Sequence, residues 1–177
     1  MKKVFVFVIV CVSLLLGASM CVSANYRVAG ATGSYEYWAY YTDDDLPIGA
    51  DIAYVSTSVS GDLVIPNTVE VGGGLAACTV TGIGYAAFGG CKNITSIVIP
   101  STVIGIDRMA FYKCTNLKSV NLSEGLLEIG EQAFEYCESL IDITLPVGLQ
   151  SIGRFAFSGC SSLESIRIPG EIGRAHV

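Results

Sequence analysis

Cysteine is the residue in this sequence with the most chemistry to offer, and its spacing is regular. Cys91, Cys114, Cys137 and Cys160 recur every 23 residues, with Cys78 upstream of them. Thiols pair as disulfides in oxidising compartments, ligate zinc, or sit in cores as small apolar groups. Zinc is disfavoured, because there is no Cys-x-x-Cys pair and the single histidine, His176, lies at the extreme C-terminus. In stacked coils a cysteine column would repeat at strand spacing, about 4.7–4.9 Å, near enough to invite pairing. Pairing would require the side chains to turn toward one another along a column that packs inward. The spacing therefore predicts a buried ladder of free thiols.

The other candidates are weaker. Asp43-Asp44-Asp45 offers hard oxygen ligands suited to calcium, but without the spacing of a calcium-binding loop it reads as a solvated acidic turn. Serines and carboxylates are plentiful, yet a hydrolytic triad needs a base, and nothing singles out a carboxylate pair for glycoside chemistry. The sequons Asn93-Ile94-Thr95 and Asn121-Leu122-Ser123 would carry glycan only in a eukaryotic host. At repeat positions they read as a turn asparagine and a strand-face polar residue. We expect no catalytic residue, no cofactor and no metal.

Both ends of the chain are expected to lie outside the fold. Lys2 and Lys3, the apolar run Val4 to Leu16 and the small residues of Val22-Ser23-Ala24 have the form of a secretory signal peptide over residues 1–24. The apolar run is too short for a comfortable membrane span. Cleavage after Ala24 would leave no membrane insertion. At the other end, Ile172 to Val177 matches the translation of a common sequencing adapter, so residues 171–177 are expected to be foreign. Of the 10 Lys and Arg, 3 (Lys2, Lys3, Arg174) lie in these ends, as does 1 (Glu171) of the 16 Asp and Glu, so Asn25 to Gly170 carries a net charge of −8. That balance argues against nucleic acid and anionic membranes as partners.

The cysteines belong to a larger pattern. Phe88, Phe111, Phe134 and Phe157 keep the same 23-residue step, each preceded by alanine. Upstream lie Ile83-Gly84, Ile106-Asp107, Ile129-Gly130 and Ile152-Gly153. Downstream, Ile94-x-x-Ile97-x-Ile99-Pro100 and its counterparts at Leu117, Leu140 and Leu163 alternate apolar with variable residues, which is the period of a strand. Proline after the run cannot join a ladder and ends it. One such unit cannot bury its own apolar side, whereas about three stacked copies can. Leu63-Val64-Ile65-Pro66 is a degenerate first copy, set back by 34 residues, so 11 extra residues lie before Ile83, with a loop at Gly72-Gly73-Gly74. The β-prone segment Ser34 to Tyr41, a turn, and Ile52 to Val55 read as an N-terminal β cap over residues 25–60. Residues 61–170 form the repeats.

The pattern Ile-Gly-x-x-Ala-Phe-x-x-Cys-x-x-Leu-x-x-Ile-x-Ile-Pro resembles the BspA-like, or Treponema-type, leucine-rich repeat. That resemblance implies an α/β solenoid: a right-handed superhelix with a concave parallel β-sheet and irregular or short helical turns on the convex side. Asp107 in place of the corner glycine and Leu122-Ser123 without its proline depart from the pattern. The resemblance also implies a secreted or cell-surface protein that is not an enzyme and that binds proteins of a host matrix or of neighbouring cells.

A binding face follows from the alternation. Ser96, Ser119, Asp142 and Ser165 form one outward column on the strands, and Val98, Asn121, Thr144 and Arg167 form another. These are residues the fold does not dictate, so they are the expected protein-binding face. The alternative is an accessory repeat region of a larger surface enzyme.

Overall fold

The computed structural model describes residues 9–10, 21–26, 35–41, 47–71 and 76–168. The acidic turn Asp43–Asp45, the glycine loop Gly72–Gly74, the segment Glu171–Val177 and most of the expected leader lie outside the described residues. Strands β1 (Ile9–Val10), β2 (Cys21–Tyr26), β3 (Tyr35–Tyr41) and β4 (Pro47–Val55) pair antiparallel in sequence order. β5 (Ser60–Val64) follows, then the antiparallel hairpin β6 (Thr68–Val71) and β7 (Ala76–Ile83). This hairpin is how the structure accommodates the extra residues between the first two copies.

Beyond Ile83 each 23-residue unit becomes one coil with two strands. The first strands are β8 (Asn93–Val98), β10 (Ser119–Asn121) and β12 (Asp142–Ile143), and the second are β9 (Gly105–Ile106), β11 (Glu128–Ile129) and β13 (Ser151–Ile152). β5, β8, β10 and β12 form a parallel four-stranded sheet with Leu63, Ile97, Val120 and Ile143 in register, all buried. The register of Leu63 with Ile97 matches the offset read from the sequence. β7, β9, β11 and β13 form a second parallel run, in which Ile83, Ile106, Ile129 and Ile152 are aligned and buried. β4 joins its edge with Ile52 opposite Ile83, so the antiparallel meander β1–β4 continues this second sheet.

The second sheet is where the structure departs from the sequence reading. Of the irregular or short helical turns expected behind the first sheet, the described residues hold irregular ones, at 85–90, 108–113, 131–136 and 154–159, and no helix; the two-residue strands before them were not expected. The physical reason is backbone pairing between coils. Gly84, Asp107, Gly130 and Gly153 each donate an N–H to the isoleucine carbonyl of the preceding coil, at 2.7–2.8 Å. A third ladder crosses the turns, where Phe88 donates to Ala110, Phe111 to Ala133 and Phe134 to Ala156, at 2.7–2.8 Å. Between the ladders one continuous core carries the alanine, phenylalanine, cysteine and leucine columns.

Close approach of the coils fixes two glycines. A Cβ on Gly130 would lie 2.6 Å from the backbone of Asp107 and Arg108, and one on Gly153 would meet the backbone of Gly130 and Glu131. Backbone cannot rotate away as a side-chain tip can. Gly130→Ala should therefore cost about 1–3 kcal/mol through overpacking, measured by urea unfolding. Gly105→Ala, which meets nothing within 4 Å, should be neutral or stabilising by about 0.4–1 kcal/mol. Equal effects at the two positions would contradict the close approach.

Candidate functional site

The alternation expected on the strands holds in three dimensions. Ser119 lies opposite Ser96 on one side and Asp142 on the other, and Asn121 lies opposite Val98. Their flanking residues Ile97, Val120 and Ile143 point into the core, so the two columns face solvent, with Ser96 half-buried and the rest exposed. Thr144, Ser165 and Arg167 are also exposed but lie beyond the strands, so the sheet proper carries five of the eight residues. Among the described residues β12, which ends at Ile143, is the last strand of this sheet.

The first coil adds residues that sequence reasoning missed. Asp62 pairs in register with Ser96, and Val64 with Val98, so both columns begin one copy earlier. The 34-residue offset already placed them there, but the degenerate copy was read only for its core. Asp62 has a defined role: its Oδ1 accepts the Ser96 hydroxyl at 2.6 Å and the Thr95 hydroxyl at 2.9 Å. Those two hydrogen bonds, Ser96 first, hold the carboxyl below the usual carboxylate range. Ser96 is therefore committed to Asp62, while Ser119, Asn121 and Asp142 turn exposed polar groups outward.

At the C-terminal end of this face a cleft of about 670 Å³ brings together Asp142, Thr144, Ser165 and Arg167, with Val147 and Ile168 among its apolar walls. It holds one carboxylate, one guanidinium and two hydroxyls. That set can hydrogen-bond and pair with polar and charged groups; among the lining residues there is no second carboxylate to share acid and base roles and no base beside a serine. A groove of about 450 Å³ runs over the second sheet, floored by glycines and flanked by Asp51, Asp107 and Glu128. Among the described residues no group of three or more His, Cys, Asp or Glu side chains is placed to hold a metal ion.

The cysteine ladder belongs to the core. Cys91, Cys114, Cys137 and Cys160 are free thiols, and all four are buried, as is Cys78. The thiols of Cys114, Cys137 and Cys160 donate to the carbonyls of Phe88, Phe111 and Phe134 in the preceding coil, at 3.1–3.2 Å. Each thiol thus links adjacent coils.

Stacked 23-residue coils, two parallel sheets and buried phenylalanine and cysteine columns define a leucine-rich-repeat solenoid. The sequence profile of the BspA type leucine rich repeat region matches residues 77–175 in 6 copies, and the chain belongs to that family. Among solved structures it is similar to a leucine-rich repeat protein from Bacteroides capillosus ATCC 29799, with 30% identity, a TM-score of 0.64, and coverage of 82% of this chain and 99% of that one. A leucine-rich repeat protein from Bacteroides ovatus ATCC 8483 is similar at 28% identity and TM-score 0.64, over 81% of this chain and 41% of its own. A leucine rich cell surface protein from Faecalibacterium prausnitzii A2-165 is similar at 26% identity and TM-score 0.59, over 88% and 44%. The chain thus spans less than half the length of the last two. No curated protein matches it.

Proposed function

We propose that this chain is a secreted or cell-surface, non-enzymatic adhesion module that binds a protein ligand through the outward face of its four-stranded sheet. The observation that carries this reading is the cleft beside that sheet, where Asp142 and Arg167 stand with Thr144 and Ser165 in about 670 Å³. Charged and hydroxyl groups of both kinds, on a rigid scaffold and without acid–base partners, suit recognition. The outward columns supply the flanking contacts. Residues 1–24, read as a signal peptide, would deliver residues 25–60 as a cap and 61–170 as repeats to the cell exterior. The similarity to a protein described as a cell surface protein supports that location.

The test is biolayer interferometry of the secreted protein against immobilised host-matrix proteins. Asp142→Ala/Arg167→Ala should bind at least about tenfold more weakly, a loss of roughly 1.4 kcal/mol. Its stability should stay within about 0.5 kcal/mol of wild type, because both residues are exposed. Glu128→Ala/Gln150→Ala, exposed on the other sheet and just before its last strand, should bind as wild type. If the first pair binds normally, the sheet is not the surface; if the wild type binds nothing, the adhesion reading fails.

A further inference from the structure

At the last coil the four-stranded sheet loses the pairing that its earlier coils keep. The 23-residue step sets Ser165, Ile166, Arg167 and Ile168 against Asp142, Ile143, Thr144 and Leu145, yet no described strand follows β12. In the earlier coils Ile65 and Ile99 donate their N–H to the carbonyls of Val98 and Asn121 in the next coil, both at 3.0 Å. Lys118 and Ile141 donate back to Thr95 and Lys118, at 2.8 and 3.1 Å. The corresponding N–H groups of Leu122, Leu145 and Glu164 meet no described backbone carbonyl, so the ladder thins toward this end and stops at β12. The apolar column opens with it. Ile143 and Leu145 are buried, whereas Ile166 and Ile168 are half-buried. An edge left in this state is a template for one more strand.

The cleft of about 670 Å³ lies along this free edge, within the roughly 300–1,000 Å³ that encloses a whole ligand. Its lining alternates. On one wall Asp142 and Thr144 are exposed while Ile143 and Leu145 are buried. On the other, Ser165 and Arg167 are exposed while Ile168 is half-buried. A guest between walls of period two fits best with period two of its own, which is the period of an extended chain. The charges set its polar side. By the repeat step Arg167 falls beside Thr144, two positions along from Asp142, and no ion pair joins the two charges among the described residues. Successive outward side chains of an extended guest, about 6.6 Å apart, would meet the carboxylate first and the guanidinium second.

Resting on the reading of this sheet face as a docking surface for a protein ligand, we propose that the cleft takes an extended segment of that partner as an added strand along β12, with the pattern cation, apolar, anion, apolar. The sheet is parallel throughout, and the segment runs parallel to β12. Its cation meets Asp142, its anion meets Arg167, and its apolar side chains cover Ile143, Leu145 and Ile168. Main-chain hydrogen bonds to the free edge, the Leu145 N–H included, hold the segment, and its alternate side chains select it.

Fluorescence anisotropy with the full chain tests this site, using a labelled Ser-Lys-Val-Glu-Val-Ser peptide. Two further probes are the charge-reversed Ser-Glu-Val-Lys-Val-Ser and the first peptide N-methylated at lysine and glutamate. Those are the positions whose backbone would face β12, as Val98 and Asn121 face the coil before them. The wild type should bind the first peptide and bind each of the others at least about tenfold more weakly. Asp142→Lys/Arg167→Glu, at exposed positions, should keep the melting temperature and invert the preference between the two charged peptides. Equal binding of the charged peptides, undiminished binding of the N-methylated one, no inversion in the double variant, or a chain that dimerises through this edge and binds no peptide would overturn the proposal. If matrix-protein binding is lost in Asp142→Ala/Arg167→Ala while no peptide binds, the added strand fails and the docking surface stands. Peptide binding as expected without matrix-protein binding supports the added strand and sinks the adhesion reading.

Discussion

Replacing Phe111 or Phe134 with alanine should cost about 3–5 kcal/mol, a large share of the 5–15 kcal/mol typical of a whole domain. Both rings are fully buried. Phe111 stacks on Phe88 at 4.8 Å and on Phe134 at 5.0 Å, with interplanar angles of 18° and 5°. Phe134 continues the stack to Phe157 at 5.4 Å and 2°. Truncating one ring leaves a void with a ring face above and below it. The void cannot close, because three backbone ladders hold the coils at their spacing and the flanking Ala110 and Ala133 are already minimal. Phe157→Ala should cost less, because its ring is half-buried and the described residues stack on only one of its faces. Urea unfolding of the three variants decides the matter. A loss below about 1 kcal/mol at Phe111 or Phe134 would mean that the repeat register is wrong.

The thiol ladder should make the protein unreactive at neutral pH and vulnerable in alkali. Burial pushes the Cys91 thiol from its ordinary 9.0 up to about 11. Burial, followed by the neighbouring Cys137 charge, pushes Cys160 up to about 12. Cys137 is raised as well, by the neighbouring Cys114 thiol and then by burial. Because the thiolate is the nucleophile, native Cys91 should react with iodoacetamide at pH 8 roughly a hundredfold more slowly than in the denatured chain. Cys78 and the four repeat cysteines should all react once the chain is unfolded. The same shifts fix the sign of the pH dependence. Unfolded thiols ionise near pH 9 while Cys91 and Cys160 in the folded chain hold their protons to about 11 and 12, so this stabilisation is complete below about pH 9 and is lost as pH rises toward 11–12. A thiolate also cannot donate to the carbonyl its thiol now bonds. Melting temperatures measured from pH 7 to 11 should fall above pH 9, and a fourfold serine variant at Cys91, Cys114, Cys137 and Cys160 should lose that fall. Rapid native alkylation, or a flat profile in the wild type, would show the column to be accessible.

Much of the candidate surface was readable before any coordinates. Ser119, Asn121 and Asp142 flank apolar residues at a period of two, and a two-sided strand leaves such residues only one direction to face. Their neighbours Asp62 and Val64 were equally placed by the offset of the first copy. What alternation does not encode is commitment. That Ser96 is held by Asp62 at 2.6 Å, or that Asp142 and Arg167 border one cleft, depends on which coils lie side by side. The exposed rings of the turns stayed hidden for a related reason. Tyr85, Tyr136 and Phe155 stand at variable positions of the repeat, and nothing in their identity reveals a left-handed backbone beneath two of them.

By itself the sequence determined the 23-residue coil, the buried Ile, Ala, Phe, Cys and Leu columns and the outward faces of the first strands. Every coil places the same position in the same surroundings, so the requirements of the core repeat as visible residue types. Only the tertiary structure decided that a second parallel sheet precedes the turns and that the described turns are irregular rather than helical. It also decided that Met109, Lys113, Gln132, Tyr136 and Phe155 adopt a conformation usually left to glycine, and that Gly130 and Gly153 must be glycine. These features are made by backbone N–H and C=O groups pairing between coils. Every residue carries such groups, and strands of two residues are too short to show a period. The side chains recorded what is buried; the inter-coil hydrogen bonds, which no side chain announces, decided the path of the chain between the buried columns.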